Sequence, residues 1–345
     1  MNIKTYKFRI KDSSERTLLC KTASRVNYVW NWLNEKSRDL WNLEGDRKHW
    51  LSKFDAINLL SGTAEEIGLN SATIQLVASE HADKRKQFKK AKLSWRSYKR
   101  SLGWVPFDVR NIKVVGNVAI YQKHKFKFWK HREIQGKIKS GCFVQNSQGK
   151  WSICLVCEEH INTAPKTNKS VGIDLGLKEV AVTSDGEHFE HPKPLRKFQE
   201  KLAIAQRAKN KKQVTNIHAK IKNIRKDFNH KLSTYLVETY DQIFIGNVSS
   251  QAMIKKGKGF AKSTLDASWG QLRTMLEYKA SRLGKVCSQV SESFSTVTCS
   301  VCGQRTGPSG LSALGVRYWK CSCCGTEHQR DVNSATFILN TGLGC

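Results

Sequence analysis

The sequence predicts an α+β N-terminal half followed by an α/β C-terminal half that carries a small metal-binding insertion. Three observations predict this fold. Helical periodicity fills most of residues 15–100 and lies between two regions of strand-like alternation. After residue 170, short apolar strands alternate with long amphipathic helices. Two Cys-x2-Cys pairs stand near the C-terminus. A chain of 345 residues is long enough for two or three domains.

Charge predicts the class of partner. The chain has 59 Lys and Arg against 29 Asp and Glu, a formal net charge of +30. So large an excess favours nucleic acid, because Lys and Arg neutralise phosphates and release condensed counterions. An anionic membrane is the alternative, but no apolar run reaches the ~20 residues that span a bilayer, and the first residues lack a secretory apolar core. We therefore expect a cytoplasmic protein without a membrane partner.

The N-terminal half is predicted to begin with a strand at residues 3–10 and to return to strands at residues 105–160, including a hairpin around Gln148 and Gly149. Cys154 and Cys157 form a Cys-x2-Cys pair on one of these strands. Residues three apart on a strand point to opposite faces, so this pair cannot chelate one ion. Residues 161–170 are polar and are predicted to be a linker between domains.

A dense basic run occupies residues 83–100, interleaved with Phe88, Trp95 and Tyr98. Such a run is usually a solvated helix face. Here the aromatic side chains could stack on bases, and the sign of the run matches that of the whole chain, so we favour contact with nucleic-acid phosphates. The candidate residues are Lys84, Arg85, Lys89, Lys90 and Arg96.

The C-terminal half is predicted to contain a strand ending at Asp174, a second strand, and a third after the turn at Asp185 and Gly186. A long basic helical region follows, then a strand at 241–250, a helix, a strand closed by Glu292 and a terminal helix. Three strands in a meander, a helix, a strand, a helix, a strand and a helix is the element order of an RNase H-like fold.

Four cysteines have the spacing of a zinc ribbon: Cys299, Cys302, Cys321 and Cys324. Two Cys-x2-Cys turns present four thiolates to a tetrahedral ion, and such a closed site is structural rather than catalytic. Two disulfides or unrelated cysteines are the alternatives, but an odd total of eleven Cys favours thiolates in a reducing cytoplasm. Cys323 is an extra thiol, and Cys324 is preferred as the ligand because the turn residue Gly325 follows it.

Asp331 is an acid that lies between the second cysteine pair and the predicted helix Val332–Leu339. Asp is a favoured helix N-cap, and its charge suits the positive end of the helix dipole. Alternatively, Asp331 belongs to an acidic site whose other members lie far upstream. These residues alone leave both readings open.

Several stretches together resemble the TnpB (OrfB) family of transposon-encoded, RNA-guided nucleases, which are related to compact type V CRISPR effectors. The resemblance covers nearly the whole chain. Its most specific part is the cysteine pairs followed by "RDVNSA", and it also includes "GIDLGLK", "DASWGQLRTMLEYKA", "TVTCSVCG" and "VNYVWNWLNEK". It implies a β-barrel wedge domain at 1–165 with a helical recognition insertion at about 15–104. It also implies a RuvC-like, RNase H-like nuclease domain at 166–345 with the zinc ribbon inserted at about 296–326.

The resemblance further implies the activity and the partners. A guide RNA would direct a monomer, in a prokaryotic cytoplasm and at the nucleoid, to double-stranded DNA beside a short target-adjacent motif. Asp174 and Asp331 match the first and last catalytic aspartates of the family. Two catalytic Mg²⁺ ions would be held by these carboxylates, and one structural Zn²⁺ by the four cysteines.

The chain departs from the family at the strand around residues 241–250, where most members place an acid. Here Gly246 and Asn247 carry no carboxylate. Glu292 closes the next strand, whose end should open on the same sheet edge, and we favour it as the relocated third catalytic acid and Mg²⁺ ligand. Otherwise Glu292 is a surface residue, and the protein is a nuclease-dead, RNA-guided DNA-binding repressor. A zinc-ribbon nucleic-acid-binding protein that needs no guide is a third hypothesis.

Overall fold

The computed structural model describes residues 2–11, 15–43, 51–90, 92–97, 99, 101–159, 165–249, 253, 258–310 and 312–344. The chain forms two compact units, Met1–His160 and Ile161–Cys345. The sequence analysis places the boundary after residue 165, and residues 161–164 of its linker lie outside the described residues.

The N-terminal unit contains seven described strands and, between the first two of them, four described helices. The strands are β1 (Asn2–Arg9), β2 (Trp104–Asp108), β3 (Ile112–Val115), β4 (Val118–Tyr121), β5 (His124–Lys127), β6 (Lys137–Gln145) and β7 (Trp151–Glu159). The helices are α1 (Glu15–Leu43), α2 (Lys53–Leu59), α3 (Ala64–Ile67) and α4 (Ser71–Phe88). One antiparallel sheet has the order β1-β7-β6-β2, and a second has the order β3-β4-β5.

The predicted strand-helix-strand order of this unit is confirmed, including the β6–β7 hairpin. Cys154 and Cys157 lie on β7, as predicted. The prediction that helix extends to about residue 100 is wrong. The last helix ends at Lys89, which has a left-handed backbone (φ 50°). Beyond it the chain runs extended along α1, because side chains of α1 hydrogen-bond to its backbone, as at Asn34 with Leu93.

The C-terminal unit contains a five-stranded sheet, five helices and a small two-stranded sheet among its described residues. The large sheet is formed by β8 (Ser170–Asp174), β9 (Glu179–Thr183), β10 (His188–Glu190), β11 (Gln242–Gly246) and β12 (Val286–Val290). The small sheet pairs β13 (Tyr318–Lys320) with β14 (Glu327–Gln329). The helices are α5 (Pro194–Arg207), α6 (Lys211–Thr239), α7 (Lys258–Ala267), α8 (Trp269–Arg282) and α9 (Arg330–Leu343).

The large sheet has the order β10-β9-β8-β11-β12. Its meander and the position of β12 beside β11 are as predicted, although two helices rather than one separate β10 from β11. Because β8, β11 and β12 run parallel, their carboxyl ends open on the same edge. Asp174 lies at this edge at the end of β8, and Gly246 lies there at the end of β11. The segment that contains Glu292 follows the end of β12 at the same edge.

The terminal helix α9 packs directly on β8, and Gly172 makes this close approach possible. A Cβ atom at residue 172 would overlap the backbone oxygen of Ala335 and would lie 2.6 Å from the backbone nitrogen of Leu339. Both Ala335 and Ile338 of this helix are completely buried. The missing side chain at residue 172 therefore sets the distance between α9 and the sheet.

None of the helices within the described ranges is long and apolar enough to cross a membrane.

Replacing Gly172 with Ala is expected to lower the free energy of unfolding by about 1–3 kcal/mol or more, because α9 must move away from the sheet. Gly270→Ala is the matched control, since Gly270 lies in α8 with no atom within 4 Å of an added Cβ. That change should be neutral or slightly stabilising. Thermal unfolding followed by circular dichroism measures both variants. Equal melting temperatures would contradict the proposed close contact.

Candidate active site and metal centre

Three carboxylates lie near one another at the carboxyl edge of the large sheet. Asp174 ends β8, Glu292 lies two residues after β12, and Asp331 lies in the first turn of α9. Burial, followed by the negative charges of Asp331 and Glu292, raises the pKa of Asp174 to about 7, against the opposing effect of the backbone N–H of Leu175. The sheet and α9 thus bring Asp174 near two acids that follow it by 118 and 157 residues in the sequence.

The three carboxylates are more loosely arranged than the cysteines of the ribbon. Among the described residues, only the cysteines form a cluster whose possible ligand atoms all lie within 4.8 Å of one another.

Glu292 occupies the space that a side chain at residue 246 would fill. A Cβ atom built on Gly246 would lie 2.7 Å from Oε2 of Glu292 and 3.6 Å from its Cβ. Burial raises the pKa of Glu292, and the nearby Arg273 guanidinium and the backbone N–H of Val248 oppose this rise. The side chain is half-buried rather than turned into solvent. Its carboxylate therefore lies beside the position at the end of β11 where the acid is missing, and its role as the relocated catalytic acid stays a prediction.

Asp331 is not the cap of the terminal helix. Helix α9 begins at Arg330 rather than at Val332, and its N-cap is Gln329, whose side chain accepts a hydrogen bond from Val332 N at 2.6 Å. The Asp331 carboxylate instead forms an ion pair with Arg317, with 3.1 Å between Nη1 and Oδ2. The capping interpretation is therefore wrong. Nothing in the sequence pattern singled out Arg317.

Asn333 and Arg330 join the ribbon to α9. The amide of buried Asn333 donates to the carbonyl of Thr298 at 2.8 Å and accepts a hydrogen bond from Ser300 N at 2.9 Å. The backbone N–H of Arg330 donates to the carbonyl of Arg317 at 2.8 Å. The sequence analysis used the "RDVNSA" motif only for its acid and missed these two residues. The sequence signal that could have identified Arg330 and Asn333 is their position within two residues of Asp331 in the same motif.

The four predicted cysteines converge in the ribbon. The Sγ atoms of Cys299 and Cys324 are 3.7 Å apart, and those of Cys302 and Cys321 are 3.6 Å apart. The choice of Cys324 agrees with the structure, since Cys323 is exposed and outside the cluster. These four thiols could hold one metal ion.

The surroundings favour the thiolate form, which a metal requires, at Cys321 but not at Cys302, whose pKa is raised by burial and by the neighbouring thiols. The backbone N–H of Cys324, followed by the Thr306 hydroxyl at 3.1 Å, lowers the pKa of Cys321 to about 6. The Nε2 atom of His328 lies 3.1 Å from the Sγ atom of Cys299. The sequence analysis did not predict this histidine contact.

The five basic candidates of the N-terminal unit have different environments. Lys89 and Lys90 are exposed and Lys84 is half-exposed. Arg85 is only 1% exposed, so its prediction as a phosphate contact is wrong. It follows Val77 and His81 at four-residue steps on the buried face of α4. The remaining candidate, Arg96, is half-buried, and its Nε donates to Oδ1 of Asn27 at 2.8 Å.

Two family models match the chain. One is described as "Cas12f1-like, TNB domain" and matches residues 269–338. The other is described as "Probable transposase", of the OrfB type, and matches residues 152–257. The first match contains the ribbon cysteines, Glu292 and Asp331, and the second contains Asp174.

Curated relatives agree with these matches. A Streptomyces pristinaespiralis protein provisionally named as an RNA-guided DNA endonuclease is 38% identical over 208 residues, covering 56% of this chain and 50% of that protein. InsQ of Escherichia coli K12, provisionally given the same name, is 30% identical over 238 residues, covering 61% of this chain and 58% of that protein. The chain thus spans about half the length of these relatives.

Among solved structures, a Cas12f1–sgRNA–target DNA complex aligns over 99% of both chains with a TM-score of 0.41 and 17% identity. Both family models and both curated relatives agree with the resemblance of the sequence motifs. Over the segments that these models and relatives match, the chain is similar to members of the TnpB (OrfB) family.

Proposed function

We propose that this protein is an RNA-guided, Mg²⁺-dependent DNA endonuclease of the RuvC type that cleaves double-stranded DNA next to a short target-adjacent motif. The placement of the Glu292 carboxylate against Gly246 carries the proposal. With Asp174 and Asp331 nearby, it supplies the third acid that β11 lacks. The names of the curated relatives support a guide RNA and a DNA target as partners.

The acidic site fits Mg²⁺. Its donors are carboxylate oxygens, the ligands that this hard cation prefers. Repulsion by Asp331 and Glu292 contributes to the raised pKa of Asp174. Such repulsion is expected where several carboxylates bind the same cations. Asp174, Glu292 and Asp331 would hold two Mg²⁺ ions, which activate the attacking water and stabilise the leaving oxygen during phosphodiester hydrolysis.

Side chains around the acids have supporting roles. Arg317 lies against Asp331 from the ribbon and carries a planar set of donors that suits a phosphate. The Arg273 guanidinium donates to the carbonyl of Val248 and attracts the Glu292 carboxylate, which favours its charged form and its position. Arg317 is thus placed to bind the DNA phosphate, and Arg273 orients the relocated acid.

The ribbon fits a structural Zn²⁺ ion. Four thiolates within 4.8 Å of one another match the closed, tetrahedral coordination that Zn²⁺ prefers. Bound there, the ion would hold both halves of the ribbon together beside α9. We therefore assign one Zn²⁺ to Cys299, Cys302, Cys321 and Cys324, and no catalytic role to it.

The second candidate function is RNA-guided DNA binding without cleavage. The glycine at the end of β11 favours it, since no carboxylate stands at that position. The two candidates differ in one measurable property, which is whether the guided complex cuts its target in Mg²⁺.

Asp174→Asn and Asp331→Asn are each expected to reduce guided DNA cleavage by at least about a hundredfold, because each removes one negative ligand while keeping the side-chain size. Guided target binding, measured by filter retention, should stay close to that of the unchanged protein. Asp227→Asn is the control, since Asp227 is an exposed acid of α6 that pairs with Lys231. Unchanged cleavage by the Asp174 variant would contradict the assignment.

A reciprocal exchange tests the relocated acid. Glu292→Gln should fold normally and lose cleavage to a degree similar to Asp174→Asn. Adding Gly246→Glu to that variant would crowd the Gln side chain, so the rescue is designed as Glu292→Ala combined with Gly246→Glu. The double variant should recover part of the activity that Glu292→Ala loses. Full cleavage by Glu292→Gln would refute the relocation, and guided binding without cleavage by the unchanged protein would favour the repressor.

Cys324→Ser is expected to remove bound zinc and to lower the melting temperature, because the binding of structural zinc is coupled to folding. The adjacent Cys323→Ser is the control and should retain one zinc ion per chain. Elemental analysis and thermal unfolding measure both properties. Absence of stoichiometric zinc from the unchanged protein would contradict the zinc assignment.

A further inference from the structure

A cleft of about 1180 Å³ lies within the N-terminal unit. Its walls are the C-terminal part of α4, the extended stretch that follows this helix, and residues of α1, β2 and β6. The acidic site of the other unit does not contribute to it. The proposed cleavage chemistry therefore leaves this cleft without a role.

Aromatic side chains form much of the cleft wall. Phe88 is 56% exposed and Trp95 is 49% exposed, whereas Trp30 is buried and Trp104 is half-buried. The Arg96 guanidinium lies 5.5 Å from the ring centre of Trp30 and 5.8 Å from that of Trp104. The Arg96 guanidinium thus packs on the two covered rings, and the exposed rings of Phe88 and Trp95 are favourable surfaces for the stacking of a planar ligand.

The charge of the cleft favours an anion. Lys84, Lys90 and Lys92 line it, and the Lys92 ammonium lies 5.5 Å from the ring centre of Trp95. Glu80 is the acid among the lining residues, and it lies 3.7 Å from Lys84 in an exposed ion pair that adds little stability. Apolar rings with lysines beside them match a ligand that carries both flat bases and phosphates.

Side chains of α1 hold the wall in place. The amide of Asn31 donates to the carbonyl of Arg96 at 2.7 Å and accepts a hydrogen bond from its backbone N–H at 2.8 Å. The indole of Trp30 donates to the carbonyl of Ser94 at 3.3 Å. These bonds fix the backbone on both sides of Trp95, so its ring is held ready for a ligand and loses little entropy on binding.

We propose that this cleft binds unpaired nucleotides of the guide RNA, with bases stacked on Trp95 and Phe88 and phosphates contacted by Lys90 and Lys92. Bases inside a duplex already stack on one another, so aromatic side chains select a single strand. The proposal rests on the proposed function for the choice of RNA. A guide stays bound throughout the search for a target and would cover these exposed rings in the resting complex.

The test measures binding of short unstructured RNA to the full-length protein after removal of copurifying RNA. Trp95→Leu should weaken binding roughly 5- to 150-fold, the equivalent of about 1–3 kcal/mol for one stacked base, and adding Phe88→Leu to it should weaken binding further. Phe54→Leu is the matched control, because Phe54 is 74% exposed on α2 and lies outside the cleft. Circular dichroism establishes that all three variants are folded.

The lysines are tested separately through salt dependence. Replacing Lys90 and Lys92 with Ala should reduce the slope of log K against log salt by about 1.4, since each phosphate contact on a single strand contributes about 0.7. Lys86 and Lys89 are exposed, neighbouring lysines that do not line the cleft, and their replacement with Ala should reduce the slope less. An equal reduction in both pairs would overturn the assignment of phosphates to the cleft.

Two further outcomes would overturn the proposal. The first is that Phe54→Leu weakens RNA binding as much as the cleft variants do. The second is that the protein binds single-stranded DNA or a duplex more tightly than RNA and loses this preference in Trp95→Leu. This assay needs no cleavage, so Asp174→Asn should bind the RNA normally. The two proposals can fail separately. If the unchanged protein never cuts DNA, but replacing Trp95 and Phe88 weakens RNA binding, the proposed nuclease activity is refuted and the proposed RNA-binding cleft is supported.

Discussion

Electrostatic repulsion among Asp174, Glu292 and Asp331 is the interaction on which the rest of the C-terminal unit depends. Two unit charges about 6 Å apart repel by about 3 kcal/mol at an effective dielectric constant of about 20. The fold buries Asp174 at a sheet edge beside Asp331 and Glu292, and this burial, followed by repulsion from the two acids, raises the pKa of Asp174 to about 7. A site of this kind is stable only with cations close to it, and the chain places Arg273 and Arg317 there. The same repulsion makes the site receptive to divalent metal.

The position of Asp331 depends on two contacts of different kinds. Close packing of α9 on Gly172 fixes the distance of the helix from the sheet. Hydrogen bonds from Asn333 to the first cysteine turn then connect the helix to the ribbon. The proposed zinc ion would join the two cysteine turns, which lie on either side of Arg317 in the sequence, and would stabilise their position. The ribbon therefore supports the acidic site by placing its neighbours, rather than by chemistry of its own.

In the sequence of the N-terminal unit, basic and aromatic residues are interleaved, and the fold buries some of each and exposes others. Positive charge is spread along α4 and the stretch after it, but the fold buries Arg85 and leaves the neighbouring lysines at the surface. The aromatic residues are also divided between interior and surface. Trp30 is packed against α4, whereas Phe88 and Trp95 are exposed. The proposed outcome is a surface that recognises bases and phosphates together. Charge alone would attract any polyanion.

The sequence by itself determined the features that depend on local spacing or on sums over the chain. The net charge of +30 indicated a polyanionic partner, the cysteine spacing indicated the ribbon, and periodicity gave the element order around Asp174. The family resemblance of its motifs was also readable without coordinates. The element order and the convergence of the cysteines are confirmed, because spacing along one element fixes which side chains share a turn or a face.

Only the tertiary structure decided the features that depend on which distant segments meet. The sequence analysis favoured Glu292 as the acid that replaces the one missing at Gly246, but only the structure shows that its carboxylate fills the space beside Gly246, because β11 and β12 are parallel neighbours. Asp331 faces Arg317 rather than capping its helix, and Arg85 faces the interior of its unit. The cleft around Trp95 exists because Asn31 and Asn34 bind the extended stretch after α4. Each outcome depends on contacts between segments that no local pattern encodes, so three-dimensional packing had to supply them.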